Sequence, residues 1–396
     1  MTIANPEIRT QVEELVARTE GLIPELNRIG VETDATGKDP DEAMDLLWKN
    51  GIFNLNVPAR FGGLSDGTFF FATEAFMKVC VAIGRGDGNV AQNHHVSAFV
   101  IRELFQSSLP DSTKAQIAEQ VRSGQVRFVA SNAEAGSPRP VTARPVDGGV
   151  ILSGTKTFNS NSGSGGLASV GCTLDGVEGR HHVVVPLDHP NVVMHDNWDN
   201  MGLRGTHSQT IDYNDVFVAD DWHWHEGDQD PLTSAWIMMG HSPIMLGPGY
   251  GALDAALSYL REGNRPFLPQ FSTADEDPLI LSRIGTFVSL LEAARAALLD
   301  VARQIEAAAE TPEAADHDAI WVAVQAAKVA CVESAITVSD GIIDLTRARS
   351  TATKHRIDRF WRNIRTFSTH DPTDALKYWV GRYYLTGKGR PSMKIR

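Results

Sequence analysis

The spacing of apolar residues changes twice along this 396-residue chain, and these two changes limit the folds that it can adopt. Up to about residue 125, apolar side chains recur every three or four positions, as they do on one face of a helix. From about 126 to 230, short β-prone runs alternate with Gly, Asn, Asp and Pro turns. From 231 onward the helical spacing returns. This order predicts an α+β protein with an N-terminal α-helical domain (1–125), a central β-barrel domain (126–230, with a sandwich as the alternative) and a C-terminal helical bundle (231–396).

Two Ala- and Leu-rich stretches dominate the C-terminal region, at 276–308 and 313–345. Each is long enough for many helical turns. Thr311 and Pro312 have the residue types that favour the N-cap and the first position of a helix, so we expect the second helix to begin there.

Composition excludes several classes of protein. The net charge of −13 argues against a nucleic-acid partner, since phosphates require clustered Lys and Arg. The three cysteines are far apart in sequence and form neither a zinc spacing nor a disulfide framework, which favours a reducing cytoplasm. An uninterrupted run of 18 apolar residues is absent, so we expect no membrane contact. The amphipathic, charged N-terminal segment does not resemble a signal peptide.

Several motifs have unremarkable explanations. Gly247 to Gly251, GPGYG, has helical sequence on both sides rather than a strand before it, so close helix packing explains it better than nucleotide binding. The Ser-rich loop at 159–166 has no nucleophile elbow. Paired histidines occur at 181–182 and 223–225, but without convincing ligand partners we expect no metal site. The first pair is expected at the surface and the second in packing between domains.

Three segments together resemble the acyl-CoA dehydrogenase superfamily. The run FVASNAEAGS at 128–137 resembles the strand and turn that line the flavin ring in that family. GTKTFNS at 154–160 resembles its second flavin-contacting strand, and WDNMGLRGTHS at 198–208 resembles its GMRGTxS turn. The resemblance covers essentially the whole chain and implies the three-part fold of that family.

The C-terminal segment indicates a branch within the superfamily. The dehydrogenase EGT segment is absent, and RFWRNIRTFSTHDP at 359–372 resembles the RNxRTHTLHDP string of the two-component flavin-dependent monooxygenases, which include dibenzothiophene monooxygenase, phenol hydroxylases and amine N-hydroxylases. His370 matches the second histidine of that string, whereas Phe367 stands where the first often lies. The resemblance implies an oxygenase that uses FMN (as FMNH2) or FAD and inserts one oxygen atom from O2, through a flavin C4a-hydroperoxide, into S, N or aromatic C of a small substrate.

The same resemblance suggests the residues of the site. His370 is the expected reactive residue, and Asp371 with Pro372 has the composition of a helix start whose dipole would keep the imidazole neutral. Ser160 is expected near flavin N5, and Asn132 near the ring or the substrate. His95 is expected in the pocket, although His94 is the alternative because one sequence does not fix the helix register.

Further residues are expected to hold the cofactor. Arg265 and Arg349 match family positions that bind the flavin phosphate, and Trp198 would pack against the flavin or the entrance to the substrate site. The resemblance also implies a homotetramer and, because an NAD(P)H-binding motif is not visible, a separate NAD(P)H:flavin reductase as partner. The alternative function is an acyl-CoA dehydrogenase with FAD, for which Glu262 is the candidate base.

Overall fold

The computed structural model describes residues 5–124, 126–134, 137, 139–227 and 230–389. Its first part is helical. Asn5 caps the first helix by accepting from the Glu7 N–H, and Asp87 caps the fifth in the same way through the Asn89 N–H. The six helices of this part are α1 (Pro6–Gly21), α2 (Ile23–Thr36), α3 (Asp41–Lys49), α4 (Thr73–Gly86), α5 (Gly88–Gln106) and α6 (Asp111–Ser123).

The middle part is one eight-stranded mixed sheet. Its strands are β1 (Phe128–Ser131), β2 (Thr142–Val146), β3 (Gly149–Asn159), β4 (Leu167–Leu174), β5 (Arg180–Pro186), β6 (Val192–Met194), β7 (Gln209–Ala219) and β8 (His223–Glu226). Their order is β6-β7-β3-β2-β4-β5-β8, with β1 paired in parallel to β4.

The prediction of a closed barrel is wrong, because the described strands leave the sheet open. β6 pairs only with β7 and β8 only with β5, so these two strands are free edges. The two halves of the sheet join where β2 pairs in parallel with β4. This pairing has two residue pairs, Thr142 with Thr173 and Ala143 with Leu174. Closure would require β6 to reach β8, but β6 has only three residues, and the chain then leaves the sheet to contact the helices.

The last part is again helical, as predicted. Its helices are α7 (Pro231–Gly240), α8 (Pro243–Gly263), α9 (Pro278–Glu310), α10 (His317–Thr346), α11 (Asp358–Phe367) and α12 (Thr373–Thr386). The predicted start of the second long helix is wrong by a few residues. Pro312 begins only a single 3-10 turn, and α10 starts after Asp316, whose carboxylate accepts from the Ala319 N–H.

Close packing between helices explains the glycine-rich segment of α8, which confirms that prediction. A Cβ on Gly247 would lie 2.7 Å from the Gly84 Cα, and one on Gly251 would lie 2.4 Å from the Arg85 carbonyl oxygen. Glycine therefore lets α4 and α8 approach closely. One hydrophobic core runs through the N-terminal and C-terminal helices, and a second fills the folded sheet.

Helix α10 is long and apolar enough to cross a membrane by length and composition. Much of it is covered in the structure, where it packs against α7, α8, α9, α11 and α12. The apolar residues of α10 therefore belong to the core of the C-terminal helices.

Candidate functional site

Helix α5 places its two adjacent histidines in different surroundings. The His95 ring lies 6.0 Å from the Trp236 ring and 5.5 Å from the His241 ring. The His94 ring instead packs on Phe53 and Phe76, and its Nδ1 lies 3.5 Å from the Cys80 sulfur. His95 therefore faces the C-terminal helices and His94 the N-terminal core.

His95 lies in a closed apolar space. Its side chain is buried, and among the described residues its Nε2 has no hydrogen-bond partner. A Cβ on Gly240 would lie 2.0 Å from this nitrogen, so Gly240 at the end of α7 makes room for the ring. The unpartnered Nε2 therefore packs against the backbone of Gly240.

These buried histidines predict a pH-dependent stability. Burial lowers the pKa of His94 and of His95 to about 3, against an ordinary value of about 6.5. Between these values the unfolded chain binds protons that the folded chain does not. Each histidine thus makes its full contribution to the free energy of unfolding above about pH 6.5. Below that pH, the free energy of unfolding falls by up to about 1.4 kcal/mol per pH unit for each histidine. Urea unfolding at several pH values in this range should show this dependence of the free energy of unfolding on pH. In His94→Leu the slope should correspond to one proton fewer bound on unfolding. An unchanged slope in that variant would contradict the assignment.

His370 lies in the turn between α11 and α12, beside a second histidine that the sequence did not single out. Its ring centre is 4.6 Å from that of His241 and 5.4 Å from that of Phe367. His241 in turn lies between His370 and His95. The His370 side chain is 52% exposed in the single chain, whereas His241 is buried. The structure therefore brings His95 and His370 together through His241.

The residue after His370 has a different role from the predicted helix cap. The cap position of α12 is Pro372, with no side-chain hydrogen bond. Asp371 Oδ2 instead lies 2.5 Å from Lys328 Nζ, 3.0 Å from His370 Nδ1 and 3.4 Å from His241 Nδ1. Since the carboxylate points away from the helix end, the predicted cap at Asp371 is wrong and cannot explain a neutral His370.

The charges around Asp371 affect one another strongly. Burial alone would raise the pKa of Asp371, but its hydrogen bond with His370 and the charge of Lys328 hold that pKa well below its ordinary value. Burial lowers the pKa of Lys328, which the nearby Asp371 opposes. The pKa of His241 falls well below its ordinary value through burial and the charges of Lys328 and His370. A charged Lys–Asp pair thus lies beneath a neutral imidazole.

Ser160 lies in a buried cluster of hydroxyl groups at the end of β3. Its Oγ accepts from Gln92 Nε2 at 3.2 Å and lies 2.7 Å from Ser208 Oγ. Ser208 Oγ lies 2.8 Å from Thr206 Oγ1. Because Gln92 lies one turn before His95 on α5, the cluster and the histidines share one helix.

Phe158 and Trp198 form an aromatic surface beside this cluster. Phe158 is 58% exposed and has a φ of +56°, a left-handed conformation that costs bulky residues energy. Its ring lies 6.2 Å from that of Trp198, whose indole N–H donates to the Leu203 carbonyl at 2.8 Å. The turn that carries Trp198 is fixed to α11, because Asn363 Oδ1 accepts from the Leu203 N–H at 2.8 Å.

Asn132 is half-buried at the end of β1. Its side-chain oxygen accepts from Arg180 at 2.7 Å, and Arg180 lies 3.5 Å from Glu226. Glu226 Oε2 lies 2.9 Å from His182 Nε2. The prediction that His181 and His182 lie at the surface is wrong, because both side chains are buried, His182 against the Trp224 ring and His181 against that of His225. Ala135 and Gly136 of the run after Asn132 lie outside the described residues.

Arg265 and Arg349 lie together, but not with Ser160. Both line a cavity of about 430 Å³ at the C-terminal end of α8, and both are exposed. His241 lies just before α8 and Arg265 just after it. The 21 residues of α8 span about 30 Å at the usual helical rise. That distance is longer than the ribityl chain of one flavin.

The residues around Ser160 fit a flavin ring in their chemistry. Gln92 Oε1 is buried and, within the described part of the chain, accepts no hydrogen bond, so it is available to a ring N–H. Phe158, two residues before Ser160, and Trp198 add apolar ring surface, with the two rings inclined at 80° to each other. Aromatic surfaces with a few placed polar groups are typical of cofactor sites.

Comparison with known proteins agrees with this chemistry. Residues 239–375 match the family model for the acyl-CoA dehydrogenase C-terminal domain. The chain is 28% identical to the dibenzothiophene monooxygenase of Rhodococcus qingshengii over 94% of this chain and 93% of that protein. It is 26% identical to the probable FMNH2-dependent monooxygenase SfnC of Pseudomonas putida over 98% of each. The chain belongs to the acyl-CoA dehydrogenase superfamily, in its flavin-dependent monooxygenase branch.

A solved structure supports the fold of this flavin-dependent monooxygenase. FMN-bound TdsC from Paenibacillus sp. A11-2 superposes with a TM-score of 0.84 at 24% identity, covering 95% of this chain and 98% of that one. The predicted superfamily and its order of helices, β domain and helices are therefore confirmed, apart from the open sheet.

Sequence reasoning missed three residues of the candidate site: Gln92, His241 and Lys328. Gln92 and His241 carry no sequence signal of their own: Gln92 is one of four consecutive polar residues at 92–95, and His241 lies with Ser242 in a short polar break between apolar runs. Lys328 does carry one, since it is the only charged residue between Trp321 and Val332. A lone lysine on an otherwise apolar helix face requires a buried partner.

Proposed function

We propose that this flavin-dependent monooxygenase is the oxygenase component of a two-component system. It receives reduced FMN or FAD from a separate NAD(P)H:flavin reductase and inserts one oxygen atom from O2 into S, N or aromatic C of a small substrate. The observation that carries the proposal is the grouping of His370 and His241 with His95 of α5, one turn from Gln92 and its hydrogen bond to Ser160. The reduced flavin, when bound, is the group that reacts with O2.

The chain's own groups have distinct tasks in this proposal. The Ser160 hydroxyl, held by Gln92 and Ser208, is fixed as a hydrogen-bond partner for the ring edge. His370 has one nitrogen held by Asp371 at 3.0 Å, which leaves Nε2 to hold or move a proton near the reacting atoms. The buried rings of His95 and Trp236 exclude water from this space.

The arginine cavity requires a second copy of the chain under this proposal. Because α8 separates Arg265 from His241 by about 30 Å, one flavin cannot reach both in the same chain. We infer that Arg265 and Arg349 hold the phosphate of a flavin whose ring lies in a neighbouring subunit, consistent with the expected homotetramer.

Replacing Arg349 with methionine should therefore weaken binding of reduced FMN. A lost charge-assisted phosphate contact corresponds to about 1.5–3 kcal/mol, or roughly a tenfold to hundredfold higher Kd. Anaerobic titration with reduced FMN measures it. Arg283→Met, which removes an exposed partner of Asp344, is the control and should bind normally. Equal affinities in the two variants would contradict the phosphate role.

The dehydrogenase alternative has less support. Its candidate base, Glu262, is exposed and lines the arginine cavity at the far end of α8 from His241. A base that removes a proton from the substrate must lie beside the flavin ring. Glu262 is therefore not placed beside the Ser160 cluster of its own chain.

An anaerobic comparison separates the two functions. We expect the purified protein to bind reduced FMN and to leave acyl-CoA thioesters unchanged in the absence of oxygen. A yellow protein with tightly bound FAD that is bleached by an acyl-CoA under anaerobic conditions would overturn the proposal.

A further inference from the structure

Three imidazoles lie in a row that begins at His95 near the middle of α5, and the central one belongs to a residue without an assigned role. His241 occupies the junction between α7 and α8. Its ring lies 4.6 Å from that of His370 and 5.5 Å from that of His95, both edge to face. His241 is buried, so its orientation depends on protein contacts rather than on water.

Phe367 stands where the monooxygenase string often has its first histidine, so the imidazole in contact with His370 is that of His241. The Phe367 ring lies 5.4 Å from both His241 and His370. It is also the position at which the segment 359–372 departs from the monooxygenase string. The place next to His370 on α11 thus holds a phenyl ring, while an imidazole reaches His370 from another helix junction.

Lys328 determines which nitrogen of His241 holds the proton. Lys328 Nζ lies 3.2 Å from His241 Nδ1, and an ammonium group can only donate. Asp371 Oδ2 also lies near this nitrogen, at 3.4 Å, but it is closer to Lys328 Nζ, at 2.5 Å. Because Lys328 Nζ lies closer to Nδ1 than Asp371 Oδ2 does, Nδ1 accepts a hydrogen bond from Lys328. The neutral ring therefore has its proton on Nε2.

The buried Lys328–Asp371 pair is not explained by stability alone. Apolar residues of similar volume in place of a buried ion pair are often as stabilising as the pair itself. Lys328 is 3% exposed in its side chain and lies on an otherwise apolar stretch of α10. A pair that contacts both His241 and His370 has a further effect, because it fixes the direction of both rings.

We propose that His241 is a positioning residue for His370, held as its Nε2–H tautomer by Lys328, and that it takes the part of the imidazole absent at position 367. The inference rests on the proposed function for its effect on the reaction. The tautomer of His241 is a property of the protein without flavin and does not depend on the proposed function.

The effect on the reaction is tested by moving the imidazole. His241→Phe should shorten the lifetime of the transient absorbance, seen when the reduced-FMN complex meets oxygen, by about tenfold, because His370 loses the ring that orients it. His241→Phe/Phe367→His restores an imidazole beside His370 and should recover most of that loss. His94→Phe, an equally buried change on the other side of α5, should keep the wild-type lifetime. A wild-type lifetime in His241→Phe, or no recovery in the double variant, would overturn the inference.

The tautomer is tested on the flavin-free protein by ¹⁵N-histidine NMR, with the His241 signal identified by its loss in His241→Phe. We expect a neutral ring protonated at Nε2, which changes in Lys328→Met. An Nδ1-protonated or charged ring in the wild type would overturn the inference. If instead the wild type shows no transient with reduced FMN but has the expected tautomer, the proposed function fails and the assignment of Lys328 to His241 stands.

Discussion

Replacing His370 with asparagine is expected to lower the yield of oxygenated product per reduced flavin by about 100-fold or more, since a positioned general acid or base contributes about 10²–10⁴. Asparagine keeps a hydrogen-bonding side chain of similar reach but cannot gain or lose a proton. Oxygen consumption should continue, with hydrogen peroxide replacing the product. Product and peroxide, measured together with reduced FMN and an organic sulfide, amine or phenol that the wild-type protein oxygenates, give the ratio.

The control for this change is His355→Asn. The His355 ring packs edge to face on the Tyr259 ring. It alters a histidine in a 3-10 turn outside the row of imidazoles and should leave the ratio of product to peroxide unchanged. An unchanged ratio in His370→Asn would remove His370 from the reaction.

Replacing Lys328 with methionine is expected to destabilise the fold by about 3–5 kcal/mol, because it leaves the Asp371 carboxylate buried without its cation. Asp371 is 15% exposed in its side chain, so water can replace little of the lost contact. Urea unfolding near neutral pH measures the change. The double variant Lys328→Met/Asp371→Leu should recover most of the stability, since no unpaired charge remains.

A matched lysine provides the comparison. Lys377 on α12 lies 2.5 Å from Glu333, but both side chains are about half exposed. Lys377→Met should therefore lower the free energy of unfolding far less than Lys328→Met does, because solvent screens an exposed ion pair. Equal losses in the two lysine variants would show that Lys328 is not in a buried charge pair.

Much of the fold could be predicted because it depends on local pattern. Helical spacing, β-prone runs and turn residues gave the order of helices, sheet and helices, and helical flanks explained Gly247. The open sheet could not be predicted in this way. Whether a sheet closes depends on how far its edge strands extend and pair, and β6 ends after three residues.

The site could be predicted only where residues lie in recognisable segments. His370, Ser160 and Trp198 were found from such segments. His241 and Lys328 approach His370 from separate helices, so only the packing of α7, α8, α10 and α11 brings them together. The Asp371 prediction failed for a related reason: a local capping pattern competed with a buried lysine, and the ion pair prevailed.

Rapid mixing of the anaerobic complex of this protein and reduced FMN with oxygenated buffer tests the central claim most directly. We expect a transient absorbance that differs from those of reduced and oxidised FMN, and that outlasts the oxidation of free reduced FMN under the same conditions. Oxidation that is as fast and featureless as that of free reduced FMN would contradict it.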